Sequence, residues 1–251
     1  MSRKTKKSKQ DAHFQVHDNP YFDNTARKDG WHPLDTKIDG RRDTKYVKNI
    51  KPRSEGQAEL MQAIAAYSLT LAIGPAGTGK TYLAIASAVE ALEKGKIERI
   101  ILSRPAMEAG ENLGYLPGDM HEKMAPYLRP LYDALGDRLG GKRVRQFIED
   151  GTIEIAPIGF MRGRTLNNAF VVIDEAQNCT YQQLKMILSR LGWHSTMVIT
   201  GDPDQSDLLE GISGLSEIAR RLETIENIAV CHLSQTDIVR HPLVAEMLGA
   251  L

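Results

Sequence analysis

The stretch LAIGPAGTGKTYLAIASAVEAL, beginning at Leu71, constrains this chain more than any other. An apolar run breaks into Gly-Pro-Ala-Gly-Thr-Gly and resumes with Lys80, Thr81 and helical spacing. Glycine weakens strands and helices, so three of them between two hydrophobic segments mean that the backbone wraps closely around something. Gly74-Pro75-Ala76-Gly77-Thr78-Gly79-Lys80-Thr81 matches G-x-x-x-x-G-K-[ST], the phosphate-binding P-loop. It sits between an expected strand and an expected helix, the context that mechanism requires. A curled loop aims its N–H groups inward, and the helix start adds its own free N–H groups and the positive end of its dipole. Lys80 then faces the β- and γ-phosphates and the Thr81 hydroxyl ligates Mg²⁺. The expected ligand is ATP with Mg²⁺.

The rest of the chain supplies the frame for such a loop. Six short apolar runs, SLTLAIG, IERIILS, TIEIAP, AFVVIDE, STMVITG and NIAVCHLS, read as strands. Helical patterns fall near 80–94, 123–139, 142–150, 180–191, 213–223 and 242–249, and Ser54 can cap a further helix through Tyr67. Strands that are apolar throughout are covered on both faces, so the pattern predicts a parallel sheet between two helical layers, a three-layer α/β fold. Ligands of such sheets bind at the carboxyl ends of the strands. Residues 1–50 lack this periodicity and read as a polar, basic extension; residues 51–251 read as the domain.

Composition excludes little. Lys+Arg and Asp+Glu both number 32, so bulk charge argues for no partner and only local clusters can. The basic run from Arg3 to Lys9 fits a nucleic-acid contact and a solvated tail equally well. No apolar run is long enough to span a membrane. Cys179 and Cys231 have no metal-like spacing, and the N-terminus has no apolar signal core. The expected location is the cytoplasm. His13, His17 and His32 have no carboxylate or cysteine pattern around them that would hold a metal.

Further motifs fall at strand ends. In FVVIDEAQN four apolar residues, Phe170 to Ile173, read as a buried strand that ends in Asp174-Glu175. Paired carboxylates there are costly to bury unless they meet a cation. Asp174 fits the Mg²⁺ side and Glu175 a general base for water; capping the next helix is the plainer role. In MVITGDPDQSDL, Gln205 is placed to contact the γ-phosphate or the attacking water, although Gly-Asp-Pro-Asp is also strong turn chemistry. Arg104 follows the strand IERIILS, and Arg162 and Arg164 flank Gly163. All three are candidates for phosphate, on a nucleotide or a nucleic-acid backbone; a solvated loop accounts for the last two as well. Met124, Tyr127, Leu128, Leu131, Tyr132 and Leu135 form an apolar stripe better suited to core or subunit contact than to base stacking. Arg240, after the last strand, is a candidate arginine finger, with a surface arginine as the plain alternative.

Taken together, SRPAMEAGENLGYLPGD, EKMAPYLRPLYDAL, IEIAPIGFMRGRTLNNAFVVIDEAQN and GDPDQSDL resemble the PhoH-like family of phosphate-starvation-inducible P-loop ATPases, in its short form. The resemblance runs from about Gln57 to Leu243. It implies a RecA-like core related to the N-terminal motor domain of superfamily one helicases. By the same resemblance Gln57 reads adenine, Gln205 is the γ-phosphate glutamine and Glu175 the catalytic base. A two-domain helicase closes its ATP site with a second motor domain. This chain is expected instead to place Arg240 in a neighbouring copy's site, in a ring, for which a hexamer is one candidate. The expected function is Mg²⁺-dependent ATP hydrolysis coupled to remodelling of RNA or single-stranded nucleic acid. The alternatives are a nucleotide-gated assembly protein and, less favoured by Glu175 and Gln205, a small-molecule kinase.

Overall fold

The computed structural model describes residues 50–105, 120–209, 211–239 and 247, with the side chains of α3 described from Tyr127 onward. The extension up to residue 49, with its histidines at 13, 17 and 32, most of the segment after Pro105, Arg240 and the helix expected at 242–249 lie outside these residues.

All six expected strands form, and they pair in parallel: β1 (Leu69–Ile73), β2 (Arg99–Ser103), β3 (Ile153–Ile155), β4 (Ala169–Ile173), β5 (Thr196–Gly201) and β6 (Ile228–His232). Their order across the sheet is β3-β2-β4-β5-β1-β6. The period of two sends alternate residues to opposite faces. Ala72, Ile100, Leu102, Phe170, Val172 and Val198 face one core. Leu71, Ile73, Ile101, Val171, Ile173 and Ile199 face the other.

Helices cover both cores. α1 (Glu55–Ala66), α2 (Lys80–Glu93), α3 (Met120–Leu139) and α4 (Gly141–Glu149) pack on the first face. α5 (Tyr181–Leu188) and α6 (Leu215–Leu222) pack on the second. This is the three-layer, RecA-like arrangement. β5 lies between β1 and β4, so the loops after these three parallel strands meet at the carboxyl end of the sheet. On α3 the stripe Leu128, Leu131, Tyr132 and Leu135 is buried in the first core, as expected for core residues.

Local signals explain the helix ends. The Ser54 hydroxyl accepts from the Gln57 N–H and starts α1. Thr180 and Gln183 form a reciprocal capping box at α5. α5 stops at Leu188 rather than 191 because the chain turns to bridge Leu191 to Leu166. Among the described residues, no helix is long and apolar enough to cross a membrane.

The segment after β6 runs along the carboxyl end of β1 and onto the loop that follows it. The Leu233 N–H donates to the Ile73 carbonyl at 2.7 Å, and the Val239 N–H to the Gly77 carbonyl at 3.0 Å. Between them the Asp237 carboxylate accepts from the N–H groups of Ser234 (2.8 Å) and Gly56 (3.2 Å). The Ser234 N–H foremost, then the Ser54 hydroxyl, hold its pKa below the usual carboxylate value.

Gly74 stands under this strap with φ +146°, and a Cβ there would lie 2.2 Å from the Leu233 carbonyl oxygen. Both backbones are fixed by the sheet, so neither can retreat. Gly74→Ala is therefore expected to lower the unfolding free energy by about 3 kcal/mol. Urea denaturation measures this, and an unchanged midpoint would refute the close approach.

Candidate active site

The P-loop runs from the end of β1 into α2. Its three glycines all take positive φ, which places the loop backbone in a conformation L side chains resist. The Gly74 N–H donates to the Gly201 carbonyl at 3.2 Å, pinning the loop to the end of β5. The Thr78 hydroxyl donates to the Pro75 carbonyl at 2.9 Å and closes the curl. Gly79 is the N-cap of α2 and offers no side-chain acceptor, so the first N–H groups of the helix are left for another anion.

Lys80 is folded onto this loop. Its ammonium donates to the carbonyls of Gly74 (2.5 Å) and Pro75 (2.8 Å) and more distantly to the Thr78 hydroxyl. Burial lowers its pKa, offset by the negative charges of Asp202, Glu175 and Asp174.

Opposite the loop stand the carboxylates. Asp174 is 3% exposed, and its Oδ1 accepts from the hydroxyls of Thr81 (2.6 Å) and Thr200 (2.7 Å). Glu175 takes the left-handed backbone conformation at φ +53°, which costs a non-glycine residue about 1–2 kcal/mol. Its Oε1 accepts from Arg104 Nη2 at 3.0 Å and its Oε2 from Gln177 Nε2 at 2.5 Å. The side-chain oxygen of Gln177 in turn accepts the Asp202 N–H at 3.1 Å. Asn178 and Asp207 exchange two hydrogen bonds of 2.9 Å. The turn after β4 is thus stapled to the turn after β5.

These elements enclose a cleft of about 280 Å³. Ala76, Gly77, Gly79, Lys80 and Thr81 form one wall; Asp174, Glu175, Asp202 and Gln205 form the other. The GDPDQ segment is both of the things its sequence allows. It is a turn, closed by Gln205 N–H to Asp202 O at 3.1 Å, and it presents Gln205 to the cleft.

Other candidates sit elsewhere. Gln57 is buried beside the P-loop, outside the cleft lining; its amide donates to the Thr78 carbonyl and accepts from the Arg53 N–H, both at 2.9 Å. Arg104 turns inward onto the carboxylates, with Nη1 3.3 Å from the Tyr127 carbonyl and 3.8 Å from Asp174 Oδ2. Arg164 is held in a two-point ion pair with Glu154 on β3, at 2.5 and 2.7 Å. That hydrogen-bonded pair raises its pKa. Arg162 is exposed.

Three contributors escaped the sequence reading: Thr200, Gln177 and Asp202. Thr200 and Asp202 flank Gly201 at a strand end. That position was the available signal, since ligand contacts in such sheets gather there.

The donor set fits a magnesium ion. A threonine hydroxyl and a buried carboxylate are hard oxygen donors, set together where phosphates would complete the shell. Among the described residues, no three His, Cys, Asp or Glu side chains group to hold a metal alone.

Parallel sheet, glycine cradle and paired carboxylates define a P-loop nucleotide-binding domain of RecA-like architecture. Residues 49–251 match the family model described as PhoH-like protein, and the chain belongs to that family. It is 55% identical over 204 residues to a PhoH-like protein of Bacillus subtilis (strain 168), covering 81% of this chain and 64% of that one. It is 52% identical to a PhoH-like protein of Mycobacterium leprae, covering 81% and 58%. It is 44% identical over 212 residues to Protein PhoH of Escherichia coli, covering 83% and 60%. The chain therefore spans about three fifths of the length of these relatives. A solved large terminase from a thermophilic bacteriophage is similar at 13% identity and a TM-score of 0.49, over 79% of this chain and 50% of that one.

The cysteines lie apart from this chemistry. Cys179 is fully buried and burial pushes its thiol pKa up to about 12; Cys231 is half-buried and also raised, by burial first and by Glu59 second. Only the thiolate reacts. At pH 8 a disulfide reagent is expected to label Cys231 slowly and Cys179 not at all, with both reacting at once in guanidinium. Rapid native labelling of Cys179 would contradict its packing.

Proposed function

We propose that the cleft binds ATP with Mg²⁺ and hydrolyses the bond between the β- and γ-phosphates. The observation that carries this reading is the meeting of Lys80, Thr81, Asp174, Glu175 and Gln205 in one cleft, from the ends of three strands. Lys80 exchanges the loop carbonyls for phosphate oxygens, a swap of like for like in hydrogen bonding with a gain in charge pairing. Thr81 and Asp174 would hold the Mg²⁺, whose charge offsets that of the phosphates. Glu175 takes the proton of a water as its oxygen bonds to the γ-phosphorus. The bond to the bridging oxygen breaks, and ADP and phosphate leave. Gln205 orients the water or the γ-phosphate. Gln57 holds the P-loop to α1, so reading adenine would require its amide to change partners.

We further propose that turnover is coupled to RNA or single-stranded nucleic acid, in a ring in which Arg240 serves a neighbouring copy. The support is the resemblance to helicase motor domains and the exposed Arg162. Arg104 and Arg164 would have to leave their carboxylates to join it. The division near residue 50 into a polar extension and a motor domain belongs to the same proposal. A nucleotide-gated assembly protein is the second reading. It is favoured by the bond from Val239 to the P-loop, which ties the cradle to the segment after β6.

Glu175→Gln is expected to keep ATP affinity within about threefold and to lower kcat by about 100-fold or more. Phosphate release and a fluorescent nucleotide titration measure the two separately; a mutant as active as the parent removes Glu175 from the chemistry. RNA or single-stranded DNA is expected to stimulate turnover, and its binding to weaken by orders of magnitude between about 50 and 200 mM salt. Turnover indifferent to either polymer would favour the assembly reading.

A further inference from the structure

Glu175 is the only described residue of the cleft wall with a non-glycine backbone in the left-handed region. Its carboxylate is captured on both oxygens, by Arg104 Nη2 at 3.0 Å on Oε1 and by Gln177 Nε2 at 2.5 Å on Oε2. Neither donor lines the cleft, whereas Glu175 does. Each carboxylate oxygen has two acceptor sites, so among the described residues one remains on each for a water.

The guanidinium is itself fixed. It extends from the end of β2, bonds the Tyr127 carbonyl of α3 at 3.3 Å and stands 3.8 Å from Asp174 Oδ2. It is only 21% exposed, so solvent screens the pair less than at a free surface. Arginine suits this post because its planar fork reaches two acceptors at once; an ammonium is a single point charge.

We propose that Arg104 is a positioning residue for Glu175, holding the carboxylate in the orientation from which it takes the proton of the attacking water. The inference rests on the assignment of Glu175 as base made above. It differs from a nucleic-acid role for Arg104, and from a salt bridge that merely joins β2 to β4. A purely structural bridge would alter melting but not the partition between kcat and KM.

The test is ATP turnover by Arg104→Ala, Arg104→Gln and Arg104→Lys, by Glu175→Gln, and by the double variant Arg104→Ala/Glu175→Gln, with thermal melting and ATP titration of each. Arg104→Ala and Arg104→Gln are expected to lose about 10- to 100-fold in kcat, the cost of a misplaced reacting group, with KM for ATP within about threefold. Arg104→Lys recovers part of the loss. In the Glu175→Gln background the Arg104→Ala change adds nothing further, because the two residues act as one unit. If Arg104→Ala fails to fold, Arg104→Gln carries the same comparison. Parental kcat in both neutral variants overturns the proposal, as does an equal further loss in the double variant. Should Glu175→Gln itself hydrolyse ATP at the parental rate, the base assignment and the proposal fall together. Should Glu175→Gln be inactive while Arg104→Gln is not, only the positioning role falls.

Discussion

One buried charge organises this molecule. The Asp174 carboxylate sits at the end of β4, 3% exposed. A lone carboxylate in that place would cost several kcal/mol in lost hydration. It persists because Thr81 from α2 and Thr200 from β5 both donate to one of its oxygens. Those bonds tie the P-loop helix and two strands to a single atom. Hydroxyls supply dipoles but no charge, and Arg104 stands off at 3.8 Å. In the proposed complex, the magnesium carried by a phosphate chain would add a further cation beside this carboxylate.

Around this centre the polar side chains form a continuous relay rather than a set of separate pairs. Gln177 joins the Glu175 carboxylate to the backbone of Asp202. The Ser206 hydroxyl donates to the backbone carbonyl of Gln177 at 3.1 Å, and Asn178 pairs with Asp207. Buried networks of this kind are stable when every member is satisfied and restrictive when one moves. Gln205 sits on the loop that the relay fixes, so the positions of the proposed base and of the proposed γ-phosphate contact are set together.

How much of this was legible depended on the physical scale of the signal. The six strands were legible because an apolar run covered on two faces has no polar alternation to confuse it. The P-loop was legible because its glycine, lysine and threonine spacing has few other uses. Partners were not. Arg104 follows a strand and Arg164 sits in a loop before one, yet they meet Glu175 and Glu154, 71 and 10 residues away in the chain. Charge alone does not say whether an arginine faces a phosphate or a carboxylate. Thr200 was hidden because a single hydroxyl at the end of an apolar strand resembles any β-branched residue. Gln57 is a candidate by resemblance alone, and the fold gives its amide two backbone partners.

The strap after β6 adds a mechanical dimension. Its bond from Val239 to Gly77 makes the backbone that follows β6 one of the supports of the cradle. The chain leaves the described part of the domain directly from that support. Any change in the curl of the loop at Gly77 therefore reaches Val239 across a single peptide hydrogen bond.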